Sequence, residues 1–117
     1  MENFLYKEDR PWGTFFVLSD EKDFKIKKII VNQAKRLSYQ FHNKRSELWY
    51  VLRGEGVVTI NEKQTLVKKG SIIKIKKKDR HRIENNSSET LVFIEVQTGS
   101  YFGEDDIVRI EDDFDRI

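Results

Sequence analysis

The sequence predicts an all-β chain folded as a jelly roll or a small barrel, and three observations predict it. Short runs rich in β-branched and aromatic residues recur along the whole length. Turn-forming clusters separate these runs at close intervals, as in sandwiches and barrels. Helix-period patterns are scarce. The 117 residues suit one domain, residues 1–117, large enough to bury a core without staples.

The elements follow in order. Thr14–Leu18 comes after the single proline, Pro11, and stops at Ser19-Asp20-Glu21. Phe24–Val31 alternates, with Phe24, Ile26, Lys28 and Ile30 on one face. Leu37–Phe41 and Leu48–Leu52 are aromatic-rich, and Arg53-Gly54-Glu55-Gly56 turns the chain into Gly56–Ile60. Asn61-Glu62-Lys63 connects to Gln64–Lys68, and Lys69-Gly70 to Ser71–Lys76, where Ile73 and Ile75 face away from Lys74 and Lys76. Arg80–Glu84 and Thr90–Gln97 flank the turn cluster Asn85-Asn86-Ser87-Ser88. A helical turn is expected only in Gly103–Phe114, where Ile107, Ile110 and Phe114 lie three or four apart.

Composition excludes several classes of function. Cysteine is absent, which rules out disulfides, thiolate metal sites and Cys nucleophiles. No apolar run reaches the length of a membrane span, and Met1-Glu2-Asn3-Phe4 does not read as a signal peptide. A soluble cytoplasmic protein is expected. The 22 basic and 20 acidic residues leave a net charge of +2, too small for a dedicated nucleic-acid binder. The basic stretch Lys74–Arg82 and the acidic tail Glu104–Asp115 are separate. An anionic small molecule therefore remains a suitable partner.

The chemistry centres on the only two histidines, His42 and His81. Gln40 and His42 stand two apart on one strand and share a face. Glu47 opens the next strand. If these strands neighbour one another, Gln40, His42, Glu47 and His81 converge inside the barrel. Two imidazoles, a carboxylate and an amide oxygen suit Zn²⁺, Mn²⁺, Fe²⁺ or Ni²⁺. Arg80 and Arg82 flank His81 in sequence, but strand alternation points them to the opposite face.

The spacing resembles the cupin superfamily. The first cupin pattern, G-x5-H-x-H-x4-E-x6-G, is matched without insertion from Ala34 through Gln40, His42 and Glu47 to Gly54. The second, G-x5-P-x-G-x2-H-x3-N, is matched from Gly70 through Lys76, Lys78 and His81 to Asn85. Ala34 and Lys78 replace glycine, Lys76 replaces proline, and Gln40 replaces the first histidine. A closer resemblance rests on Arg10-Pro11-Trp12-Gly13, Leu37-Ser38-Tyr39-Gln40-Phe41-His42, Arg45-Ser46-Glu47-Leu48-Trp49 and His81-Arg82-Ile83-Glu84-Asn85. Glu95-Val96-Gln97-Thr98-Gly99-Ser100-Tyr101 and Gly103-Glu104-Asp105-Asp106-Ile107-Val108-Arg109 extend it. These resemble the type II mannose-6-phosphate isomerase domain, often joined to the C-terminus of mannose-1-phosphate guanylyltransferases.

That resemblance implies a cupin double-stranded β-helix, with motif 1 near residues 34–54 and motif 2 near 70–85. It implies a metal-dependent interconversion of mannose 6-phosphate and fructose 6-phosphate. Gln40, His42, Glu47 and His81 become the expected ligands, with zinc preferred and Mn, Co, Ni or Fe as alternatives. Both histidines are then occupied, so the base must be another group. Glu84 and Lys44 are the candidates, because burial tunes carboxylates and amines. Arg45, Arg82 and Arg109, with Lys44, are candidates for the sugar phosphate, since guanidinium binds phosphate in a bidentate fork. Nothing resembles the glycine-rich nucleotide loop of the guanylyltransferase half. The competing reading is a non-catalytic cupin that binds a sugar phosphate or nucleotide sugar. A homodimer is expected, as is common for short barrels with exposed edges.

Overall fold

The computed structural model describes residues 3–114. The outermost residues of the expected 1–117 span, Asp115 of the acidic tail among them, lie outside the described residues. Two antiparallel sheets face each other. One holds six strands: β1 (Tyr6–Arg10), β2 (Gly13–Asp20), β3 (Phe24–Val31), β10 (Leu91–Gly99), β5 (Arg45–Arg53) and β8 (Ile72–Ile75), in that spatial order. The other holds β11 (Ile107–Glu111), β4 (Tyr39–His42), β9 (His81–Glu84), β6 (Glu55–Ile60) and β7 (Lys63–Lys68). This is the jelly-roll arrangement expected of the sequence. Among the described residues no helix is long and apolar enough to cross a membrane.

Alternation places the core. Phe15 and Val17 of β2, Ile29 and Val31 of β3, Trp49 and Val51 of β5 and Phe93 of β10 turn inward and are buried. Val58 and Ile83 meet them from the opposite sheet. Trp49 stacks on Phe93 with ring centroids 4.8 Å apart. Burying such large side chains stabilises the fold by about 1.5–3 kcal/mol each.

Two elements differ from the sequence expectation. Tyr6–Arg10 is a strand, paired along its length with Gly13–Val17; its charged, alternating residues conceal an edge strand. Ile107–Glu111 is also a strand, preceded by a single 3₁₀ turn at Glu104–Asp106. Its β-branched residues pair with β4, Ile107 opposite His42 and Arg109 opposite Gln40. The three-and-four spacing of Ile107, Ile110 and Phe114 is thus not helical, because ladder pairing to β4 satisfies this backbone instead.

The departures from the cupin glycines have a backbone consequence. Ala34 (φ 61°) and Lys78 (φ 70°) both adopt the left-handed conformation that glycine accepts without cost. Local hydrogen bonds hold the second turn: Lys78 donates its N–H to the His42 carbonyl at 2.7 Å, and Lys76 donates to Asp79 Oδ2 at 2.9 Å. Asn85 closes the second motif. Its amide donates to the carbonyls of Val31 (3.0 Å) and Glu89 (2.7 Å), and Oδ1 accepts from Ser87. Motif 2 therefore anchors the strand that delivers His81.

Candidate metal centre

Three strands deliver the site. β4 ends on His42, and Gln40 lies two residues earlier on the same face. β9 begins on His81, directly opposite Gln40 in the β4–β9 pairing. Glu47 comes from β5 in the other sheet, opposite Gln97 of β10. The histidines and the carboxylate thus meet across the interior, joining the two sheets. All three are buried, at 3%, 2% and 5% exposure for His42, His81 and Glu47.

The polar contacts orient the donor atoms. His81 directs Nδ1 at the Asp79 carbonyl, 2.8 Å away, which leaves Nε2 aimed at Glu47 Oε1, 3.9 Å away. His42 directs Nδ1 at the Asp106 carbonyl (3.4 Å) and Nε2 at Glu47 Oε2 (3.2 Å). A ring nitrogen tied to a backbone carbonyl fixes the tautomer that offers the other nitrogen to a cation. Glu47 accepts from Arg45 Nε at 2.8 Å and from Trp49 Nε1 at 2.9 Å. Arg45 Nη2 also lies 3.2 Å from His42 Nε2; a guanidinium only donates, so that nitrogen accepts.

Electrostatics agree with a cation site. Burial pushes the Glu47 carboxyl up, but the adjacent His42 ring, the Arg45 guanidinium and His81 overcome it and hold Glu47 well below the usual carboxylate range. Burial lowers His81, more than Glu47 raises it, so that imidazole is held neutral. A charged carboxylate beside the neutral His81 imidazole is the protonation state that metals require.

The residues fit a divalent ion. The His42, Glu47 and His81 donor atoms lie within 4.8 Å of one another. Bonds of about 2.0–2.2 Å put the ligands of one ion about 3–3.5 Å apart, comparable with the 3.2 and 3.9 Å separations here. Gln40 supplies the independent observation. Its Oε1 is buried and has no hydrogen-bond partner, a costly state for an amide oxygen unless a cation meets it. All four side chains line one cavity of about 60 Å³. A water needs about 10–15 Å³ on this measure, so the space suits an ion and the end of a small ligand.

The structure sorts the other predicted residues. Arg45 and Arg109 line the cavity with the donor set. Arg82 does not: it lies on the outer face of the five-stranded sheet and donates to the Leu37 carbonyl and Glu111. Glu84 shares that face, 3.8 Å from Arg36, in an external groove of about 470 Å³. Both sit an odd number of residues from His81, so the pleat turns them away from the metal site. Glu84 therefore cannot serve as the base. Lys44 is exposed in the two-residue turn between β4 and β5, with Nζ over the Tyr101 ring at 5.1 Å. It is also outside the cavity, because the inward position at the start of β5 belongs to Arg45. The sequence reading missed Arg10, Lys27 and Glu95, all of which line the cavity. Lys27 and Glu95 are 4% and 5% exposed and face each other across the β3–β10 ladder. Their inward alternation with Ile29 and Phe93 was the available signal.

Comparison with known proteins agrees with this geometry. The chain is 39% identical over 107 residues to mannose-1-phosphate guanylyltransferase of Klebsiella pneumoniae, covering 92% of this chain and 23% of that protein. It is 40% identical over 107 residues to the alginate biosynthesis protein AlgA of Pseudomonas aeruginosa, covering 92% and 22%. The chain thus spans less than a quarter of the length of these relatives. Among solved structures, the capsular polysaccharide assembling protein CapF of Staphylococcus aureus superposes with a TM-score of 0.81 at 19% identity, covering 91% of this chain and 34% of CapF. A conserved Klebsiella pneumoniae protein with a double-stranded β-helix domain gives 0.73 at 21% identity, with 82% of each chain covered. These likenesses establish the cupin fold. The family model described as mannose-6-phosphate isomerase C-terminal matches residues 3–112, a span that contains all four candidate donors, and the chain belongs to that family.

Proposed function

We propose that this domain is a metal-dependent isomerase that interconverts mannose 6-phosphate and fructose 6-phosphate. The observation that carries the reading is the buried His42–Glu47–His81 cluster with the unsatisfied Gln40 oxygen beside it, in a chain of this family. These four residues would hold the ion, zinc being the preferred choice. A divalent ion there supplies Lewis acidity for the oxygen that becomes negative as a proton leaves the neighbouring carbon.

The chain's own residues do the rest. Arg10 and Arg109 line the cavity and are only partly buried, placed to meet a phosphate at its rim. Their guanidinium forks match phosphate oxygens. Arg45 holds Glu47 ionised and in place. Trp12, Phe15 and Trp49 wall the cavity and exclude bulk water, which strengthens every charge interaction inside. A phosphorylated sugar substrate fits work in the cytoplasm.

The test is a coupled assay of fructose 6-phosphate formation on protein stripped of metal and reloaded separately with Zn²⁺, Mn²⁺, Co²⁺ or Ni²⁺. Turnover that requires metal and disappears in His42→Ala is expected. Metal binding without turnover under every ion would replace this reading with that of a sugar-phosphate binding module.

A homodimer is part of the proposal. On the outer face of the six-stranded sheet, Ile94 stands opposite Tyr50, Tyr50 opposite Ile72, and Val96 opposite Leu48. Leu48, Tyr50 and Ile72 are 39%, 45% and 62% exposed, an apolar row suited to a second copy. Light scattering at micromolar concentration should give twice 14.0 kDa; a monomer mass would refute it.

A further inference from the structure

We propose that Glu95 is the catalytic residue that carries the proton between C1 and C2 of the sugar, an assignment that rests on the isomerase reading above. Among the described residues that line the cavity, only Glu47 and Glu95 bear carboxylates. Glu47 is committed: it faces both imidazoles and accepts from Arg45 and Trp49. Glu95 projects into the same cavity from the middle of β10, in the sheet that also carries Glu47. Gln97 Nε2 donates to Glu95 Oε2 at 2.5 Å. That bond orients the carboxyl within the cavity.

The surroundings suit a group that must both take and return a proton. Glu95 is 5% exposed, with Lys27 opposite it on β3, so its proton leaves and returns inside a cavity shielded from bulk water. Glu84 and Lys44 have no such access, being outside the cavity.

The step balances without any co-reactant. With the aldose in its open-chain form, the Glu95 carboxylate takes the proton from C2. The C2–H electron pair forms the C1–C2 double bond, and the carbonyl pair moves onto O1. Glu95 then gives the proton to C1 while the O2 proton passes to O1, which yields the ketose.

The experiment compares metal-loaded wild type with Glu95→Gln and Glu95→Asp. It reads kcat, KM, metal stoichiometry, melting temperature, and deuterium incorporation at C2 of mannose 6-phosphate in D₂O by NMR. Glu95→Gln is expected to lower kcat by about 10²–10⁴-fold and abolish deuterium incorporation. KM should stay within about threefold, since base removal leaves uniform binding intact. Metal stoichiometry and folding should be retained, and Glu95→Asp should recover part of the exchange. An active wild type with an equally active Glu95→Gln overturns the assignment and leaves the isomerase standing. So does Glu95→Gln that folds but no longer binds metal, which marks a structural role. A wild type inactive with every ion, in turnover and in exchange, overturns the isomerase reading itself.

Discussion

Glu47→Ala is expected to abolish stoichiometric metal binding and to lower the melting temperature by about 10–20 °C. The carboxylate contacts Arg45, His42 and His81, and it also accepts from the Trp49 indole. Its removal takes the 2.8 Å ion-pair partner from a 4%-exposed guanidinium beside two imidazoles. Breaking a buried pair by deleting one partner costs about 3–5 kcal/mol, which for a chain of this size corresponds to that shift in melting temperature. Glu47→Gln should lose metal equally but melt higher than Glu47→Ala, because the amide oxygen can still accept from Trp49 or Arg45. Calorimetric melts and metal titrations read the two effects separately. A loss of only a few degrees in Glu47→Ala would mean that Arg45 finds another anion or water, and would remove Glu47 as the organising charge of the site.

The sequence disclosed the scaffold of this site better than its interior. Nine of the strand runs were legible because β-branched residues and turn clusters mark them. Ligand spacing was legible because Gln40 and His42 share a strand face, and the motif interval brings His81 opposite Gln40. Glu84 misled because it is near His81 in sequence, whereas the pleat places it outside with Arg36. The same alternation that demoted Arg82 applies to Glu84. Gly103–Phe114 read as holding a helical turn; one 3₁₀ turn stands at Glu104–Asp106, but three-and-four spacing and β-branching compete over Ile107–Glu111, and only pairing with β4 decides for a strand. Lys27 and Glu95 escaped notice because charged residues in a strand ordinarily belong to its solvent face. Recognising them required counting inward from Ile29 and Phe93, which are certain core positions. The polar interior of this barrel is thus encoded as charges in the wrong phase of an otherwise ordinary alternation.

That wrong-phase charge carries the second large expected effect. In the chain without metal, held so by a chelator, wild type should lose stability relative to Glu95→Gln steadily from about pH 5 to pH 8. The sign follows from the raised affinity of Glu95, about 8 in the fold against an ordinary 4.5. Below the ordinary value the acid is protonated in both states, and its contribution is fully present. Above it the unfolded chain releases a proton that the folded chain retains, so rising pH favours unfolding until the folded acid also ionises near 8. The displacement amounts to a few kcal/mol, on the order of 10 °C in melting temperature. Glutamine is close in shape to the protonated acid and has nothing to titrate. The variant should therefore match wild type near pH 5 and melt higher at pH 8, the difference between the two curves cancelling every other titrating group. Parallel curves would show that Lys27, directly opposite on β3, already keeps Glu95 ionised through the neutral range. The carboxylate would then be a fixed anion beside Glu47 rather than a group poised to exchange protons.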